Sequence, residues 1–340
     1  MTARTNRSAA HDRRATKSYR LRRAATPYLF VGPILVVFAM FYLWPTLLTV
    51  GSSFFTWGIL NPWQTQSPAE WDFVGLGNYG ETLADPTFWN AALNSAIWLV
   101  VFPALVLALS FPLAILIWSA PRGGGLFRTV FILPMTISLA AAGVVWSLFY
   151  NPDPNKGVLN AVLSWFGLED LSFTLGPLEF HAGRWLSDPG VLHLGFADIR
   201  FVNLFIIVAA VWTFVGFGVI TFSAGLTSVD AELLDSAKVD GATQLQLVRH
   251  VIAPSLRPSV IVVAVISIIF ALRTFDIVYV TTGGGPSTDS EVLGMLIWDQ
   301  VFQFLDSPQG GLAAAVAVVM SALMVVVSLP YIRATLRGRS

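Results

Sequence analysis

The 340-residue sequence contains no cysteine, four histidines and few charges: Asp, Glu, Lys and Arg make up 12% of it, against 55% hydrophobic residues. Without thiols there is no disulfide framework, no thiol catalysis and no cysteine-ligated zinc or iron–sulfur centre. His11, His181, His193 and His250 are scattered, with no His-x-x-x-His spacing to hold a metal. The phosphate loop Gly-x-x-x-x-Gly-Lys-[Ser/Thr] and the Gly-x-Ser-x-Gly elbow are also missing, so the chain offers neither a nucleotide cradle nor a serine nucleophile. A net charge of zero favours neither nucleic acid nor an acidic substrate. A charge density about half that of an ordinary soluble domain points instead to a membrane protein.

Six stretches are long and apolar enough to cross about 30 Å of hydrocarbon: 28–50, 91–118, 129–150, 201–226, 259–280 and 312–331. The fold class they predict is an all-α polytopic membrane protein with six transmembrane helices. Basic residues orient it. Eight of the 20 lie before Ala24; Arg122 and Arg128, then Lys238, Arg249 and Arg257, and finally Arg333, Arg337 and Arg339 fall on the same side of a six-helix arrangement. The positive-inside rule makes that side, and both termini, cytoplasmic. The first apolar run is too long for a secretory h-region and lacks a clear small-x-small cleavage site, so it reads as an uncleaved signal anchor. Residues 1–26 then form a basic cytoplasmic tail, 27–335 the transmembrane domain and 336–340 a second tail. The basic tail enforces topology, or it binds RNA or lipid headgroups.

External connections span about 51–90, 151–200 and 281–311. The longest carries "NPDPNKG", "WFGLED" and "RWLSDPG", turn signals around short apolar pieces expected to lie against the membrane surface. Pro33, Pro45, Pro103, Pro112 and Pro134 fall inside predicted helices, where each leaves a carbonyl to be satisfied by a neighbour.

The internal connection at about 227–258 is polar and patterned. Asp230 can cap a short helix through Leu233, Leu234 and Ala237, and Gly241 can supply the positive φ that ends it. Thr243 and Gln246 have capping-box spacing. Leu245, Val248, Val251 and Ile252 then recur at helical spacing, and Pro254 marks the end. Two short amphipathic helices at a sharp turn suit a partner protein's groove, or form a capped connection and nothing more.

This stretch resembles the EAA loop of membrane subunits of binding-protein-dependent ABC importers: Glu-Ala-Ala, three residues, Gly, nine residues, Ile-x-Leu-Pro. The matching positions are Asp235, Ser236, Ala237, Gly241, Val251, Ala253 and Pro254. Asp235, Ser236 and Ala253 depart from the pattern, while the spacing is intact. The segments "FVGLGNYGETLADPTFWNAALNS", "RTVFILPMTISLAAAGVVWSLFYNP" and "FDIVYVTTGGGPSTDSEVLGMLIW" are similar to those of carbohydrate-uptake permeases, and the Thr-x-Gly-Gly-Pro element at 282–286 is similar to that of the maltose-type first permease. The likeness covers roughly 27–335 and is weakest around 171–181.

The resemblance implies a type I ABC importer permease fold in a bacterial inner membrane, with the 235–254 segment as the coupling helix. It also implies a second, homologous permease subunit, two ATPase subunits carrying ATP and magnesium, an extracytoplasmic solute-binding protein and a carbohydrate substrate. No cofactor is expected on this chain itself. The alternatives are a permease of the same superfamily for another solute, such as glycerol phosphate or an amino acid, and a non-transport membrane scaffold.

A sugar presents hydroxyls and weakly apolar CH faces, which aromatic and uncharged polar side chains suit. Asn94, Ser138, Trp146, Trp212, Thr213 and Tyr279 are the candidate contacts on predicted helices. Arg273 and Asp276, three apart, are expected on one face of the fifth helix near its outer end, as a structural ion pair or as a gate with Asp276 shaping the pathway.

Overall fold

The structure, a computed structural model, describes residues 29–58, 72–119, 124–168, 171–195, 198–303 and 309–337. The basic tail at 1–26, Arg122, Glu169, Asp170 and the last three residues lie outside the described residues.

The first helix, α1 (Leu29–Ser52), carries its large apolar side chains facing outward along its length. Such a helix finds its apolar surroundings outside this chain, in lipid or in another subunit. It contains a π-turn at Ala39–Leu43, in which the Trp44 amide bonds the Ala39 carbonyl, directly before Pro45. The wider turn gives the proline ring room beside the preceding turn of backbone.

Helix α2 (Gly77–Ala84) leads into α3 (Pro86–Ser119), which passes unbroken through Pro103 and Pro112. Its 34 residues span about 51 Å, more than the hydrocarbon core requires. Helices α7 (Phe201–Thr227) and α10 (Arg257–Leu272) pack on it. The core between them holds Trp98, Phe102, Val106, Ile206, Val219 and Val263, all fully buried. Phe102 stacks on Phe270 at 4.9 Å and meets Phe214 at 5.4 Å. Close approach is possible because Gly225 faces α10: a Cβ there would lie 2.5 Å from Ser259 Oγ and 2.6 Å from Leu256.

Two expected spans are broken. The third divides into α4 (Gly124–Ile132), which ends in a 3₁₀ turn at Leu133–Thr136, and α5 (Leu139–Phe149), with a bend of 102°. Pro134 tightens the turn, Ile137 is extended, and Ser138 caps α5 by accepting from the Ala141 amide at 3.2 Å. The fifth ends at Leu272 and resumes as α11 (Asp276–Thr281). The expectation that Arg273 and Asp276 share one helical face is therefore corrected: Arg273 closes one helix and Asp276 opens the next. Among the described residues no ion pair joins them.

The connection after α5 contains helix α6 (Val158–Trp165) and a sheet of β1 (Ser172–Leu175), β2 (Leu178–His181), β3 (Gly190–His193) and β4 (Asp198–Arg200). The strands pair antiparallel in sequence order. An all-α reading missed this meander, whose first hairpin turns at Gly176 and Pro177. The chain finishes through α8 (Ala231–Val239) and α9 (Gln244–Ser255) before α10, and through α12 (Leu293–Phe302) and α13 (Gly310–Arg337) after α11. The sheet meets the start of α7 and the α8–α9 segment follows its end, so the two lie about 40 Å apart, at opposite ends of the bundle.

Candidate functional site

At the end away from the sheet, the polar segment folds as two capped helices. Asp230 accepts from the Glu232 amide at 2.9 Å and Lys238 meets Asp235 at 2.9 Å, within α8. Gly241 has φ of +80°, and nothing lies within 4 Å of where a Cβ would sit, so backbone conformation rather than space favours glycine there. Thr243 and Gln246 form a reciprocal capping box at the start of α9.

The apolar face of α9 differs from the expected stripe. Leu247 and Ile252 are buried, five residues apart, whereas Leu245 is 77% exposed. A π-turn at Val248–Ile252 resets the phase, since five residues rather than four bring side chains into line there. It closes on Ala253, directly before Pro254, with the same offset as the turn before Pro45. Leu234 anchors α8 to the bundle, and Val239, at 86% exposed, stands outward beside the turn. Of the matched positions, Asp235, Ser236, Gly241 and Pro254 are exposed, while Ala237, Val251 and Ala253 are partly buried. The segment thus has a face rooted in the membrane helices and a free face with apolar residues at its tip.

The two helix breaks flank a cavity of about 290 Å³ level with Phe214, midway along α7. Leu139, Phe214, Phe270, Arg273, Thr274 and Asp276 are among its walls. An aromatic and aliphatic wall with a few polar groups can hold the CH faces of a small polar solute while directing its hydroxyls. Near it, Trp146 and Trp212 meet edge to face at 5.9 Å. Tyr279 is half-exposed, stacking on Phe275 at 5.3 Å and meeting Trp298 at 5.7 Å. Ser138 lies exposed at the first break. Thr213 is buried, its hydroxyl donating to the Ala210 carbonyl at 2.7 Å.

Asn94 lies elsewhere, near the sheet-bearing end and 1% exposed. Its amide donates to the carbonyls of Asp289 at 3.0 Å and Glu291 at 2.8 Å. Asn203, which the sequence reading did not single out, donates to Asn94 Oδ1 and to the Asp289 carbonyl. Arg200, at the end of β4, approaches the Asp289 carboxylate at 3.4 Å. Together these contacts fasten the 282–291 loop to α3 and α7. Two asparagines inside apolar stretches were the available signal, because buried amides must find partners.

The pattern of the family described as "Binding-protein-dependent transport system inner membrane component" matches residues 24–331. The chain belongs to that family. A "Probable ABC transporter permease protein" of Pyrococcus horikoshii is 30% identical over 314 residues, 92% of this chain and 97% of that one. The trehalose/maltose transport system permease protein MalF of Thermococcus litoralis is 27% identical, over 95% of this chain and 97% of its own. Among solved structures, a chain of a bacterial ABC transporter that imports the acidic polysaccharide alginate superposes with a TM-score of 0.70 at 20% identity, covering 94% of this chain and 99% of that one. The fold is that of a type I ABC importer permease, and the chain is an inner-membrane permease subunit rather than a catalytic one.

Proposed function

We propose that this permease subunit carries a sugar, a di- or oligosaccharide or a related polyol, into the cytoplasm in an importer driven by ATP hydrolysis on separate subunits. The observation that carries the reading is the α8–α9 segment, whose buried face continues into α10 and whose free face ends in exposed Val239 and Leu245. In the proposed assembly this face seats in an ATPase subunit at the cytoplasmic side, where both termini also lie. Asp235, Ser236, Ala237, Gly241, Val251 and Pro254 shape it. Two ATPase subunits hold ATP and magnesium, a second permease completes the pathway, and a solute-binding protein delivers the sugar at the sheet-bearing, external side.

Coupling follows from the packing. Motion of α9 reaches α10 across Leu256, and reaches α7 where Gly225 lets Leu256 and Ser259 approach. Both helices border the mid-depth cavity. ATP and the loaded binding protein then favour the same outward-open state, and each strengthens binding of the other. Support for a sugar comes from the aromatic rings of Phe214, Phe270 and Phe275 and the few polar groups, Arg273, Thr274 and Asp276, around that cavity, and from the trehalose/maltose permease among the relatives.

The test is purification from native membranes under conditions that keep subunits together. Recovery of a second permease and a phosphate-loop ATPase, with ATP hydrolysis stimulated by one sugar-loaded binding protein, supports the reading. Stable complexes that lack any ATPase contradict it.

A further inference from the structure

A separate recess opens at the sheet-bearing end. It measures about 450 Å³, and its walls include Asp85, Glu291, Asp299, Gln300, Gln303 and Gln309. No lysine or arginine lines it among the described residues. Two wall residues are left without partners. Glu291 is 4% exposed, yet among the described residues no hydrogen bond or ion pair engages its carboxylate. Gln300 is 8% exposed, and its Oε1 accepts no hydrogen bond. The Gln300 oxygen is a fully buried acceptor and calls for a donor, and the Glu291 carboxylate faces the open recess beside it.

The chain cannot readily supply that donor itself. In the connections 51–90, 151–200 and 281–311 the sequence has fourteen acidic residues but only Lys156, Arg184 and Arg200 as basic ones. Each of the three already faces a carboxylate: Lys156 meets Asp153 at 3.1 Å, Arg184 meets Asp188 at 3.7 Å, and Arg200 meets Asp289 at 3.4 Å.

The recess also selects among cations. A metal ion needs ligands gathered close around one point, and no group of three or more acidic, histidine or cysteine residues is so gathered among the described residues. A neutral sugar would leave the carboxylates uncompensated. An ammonium or guanidinium group offers donors only and brings the missing charge. By sequence the three connections carry fourteen acidic residues against three basic ones, a balance that complements a basic protein surface rather than a single free ion.

We propose that this recess receives a lysine or arginine side chain of the solute-binding protein when that protein docks on the sheet-bearing face. The inference rests on the importer reading above. Docking there acts directly on the loop that Asn94 and Asn203 fasten to α3 and α7, because Glu291 belongs to that loop. Burial pushes the Glu291 carboxyl up to about 7, and the neighbouring Asp299 and Asp85 carboxylates push the same way. An arriving cation favours its ionised form, so docking releases a proton near neutrality.

The experiment uses the whole complex in lipid nanodiscs, with ATP hydrolysis measured against the concentration of sugar-loaded binding protein. Glu291→Gln keeps the side-chain shape and is expected to raise the half-saturating concentration about tenfold while the maximal rate changes little. In the wild type that concentration rises as pH falls from 8 to 6, and this dependence weakens in Glu291→Gln. Glu291→Lys, defective alone, recovers with one Lys→Glu or Arg→Glu variant from a scan of the binding protein's docking face. Unchanged half-saturation and salt dependence in both Glu291→Gln and Asp299→Asn overturn the proposal. So does inhibition by millimolar methylguanidinium that leaves affinity for the binding protein untouched, since it assigns the recess to a free cation. Failure of every loaded binding protein to stimulate the wild type overturns the importer reading as well, and is distinguished by that control.

Discussion

Asn94 on α3 and Asn203 on α7, 109 positions apart in sequence, are joined side chain to side chain at 3.0 Å, and both amides also donate to the Asp289 carbonyl. This three-way junction sits where two membrane helices meet the 282–291 loop. Buried amides joined in this way hold their geometry, because opening the junction leaves their donors and acceptors unpaired.

Asn94→Ala removes donors to two carbonyls and the acceptor for Asn203. Leaving these groups unsatisfied is expected to cost about 2 kcal/mol or more. Thermal unfolding of the purified subunit in detergent measures it; a melting temperature equal to that of the wild type contradicts the junction's structural role.

Gly241→Val forces a β-branched residue into the left-handed region at φ of +80°. The space beside it is open, so the effect is on backbone conformation rather than on packing. Transport is expected to be lost and ATPase association weakened, with membrane insertion intact. Gly241→Asn, which tolerates that region, retains most activity. Transport by the valine variant at the wild-type rate contradicts the assignment.

The Glu291 carboxyl, raised by burial from 4.5 to about 7, binds protons more tightly in the folded protein than in the unfolded chain. Its contribution to stability is therefore fully present below pH 4.5 and is lost as pH rises through about 7. The melting temperature of the isolated subunit is expected to fall across this window, and the fall to shrink in Glu291→Gln. The same slope in both proteins argues against the group.

Asp276 opens α11 on the wall of the mid-depth cavity. Asp276→Asn removes a charge at the helix break and is expected to reduce sugar uptake several-fold while expression stays normal. Unaltered uptake in proteoliposomes places the substrate path elsewhere.

Much of the bundle was legible in the sequence because hydrophobicity along a membrane helix is a local property. The capped polar segment was legible for a similar reason: Asp230, Thr243 and Gln246 act on backbone groups within three residues. The helix breaks were harder to see. Pro134 hinted at one, but nothing near Thr274 announces the other, which persists where the surrounding packing holds it. The π-turns left one trace, a proline two residues after each, and the turn at Val248–Ile252 moved burial from Leu245 to Leu247. The sheet was hidden by its short strands, although the alternation on either side of Gly176 and Pro177 records the hairpin. The acidic recess could not be read at all, since Asp85, Glu291 and Gln300 meet only after folding.

The most direct measurement uses the absence of cysteine. Val239→Cys and Leu245→Cys each place a single thiol in this chain at the exposed tip of the α8–α9 segment. In native membranes a short bifunctional crosslinker is expected to join either variant to the ATPase subunit, with a yield that changes when ATP is added. If both thiols are labelled freely by a soluble maleimide, with and without ATP, and neither is crosslinked to an ATPase chain, the coupling account is contradicted.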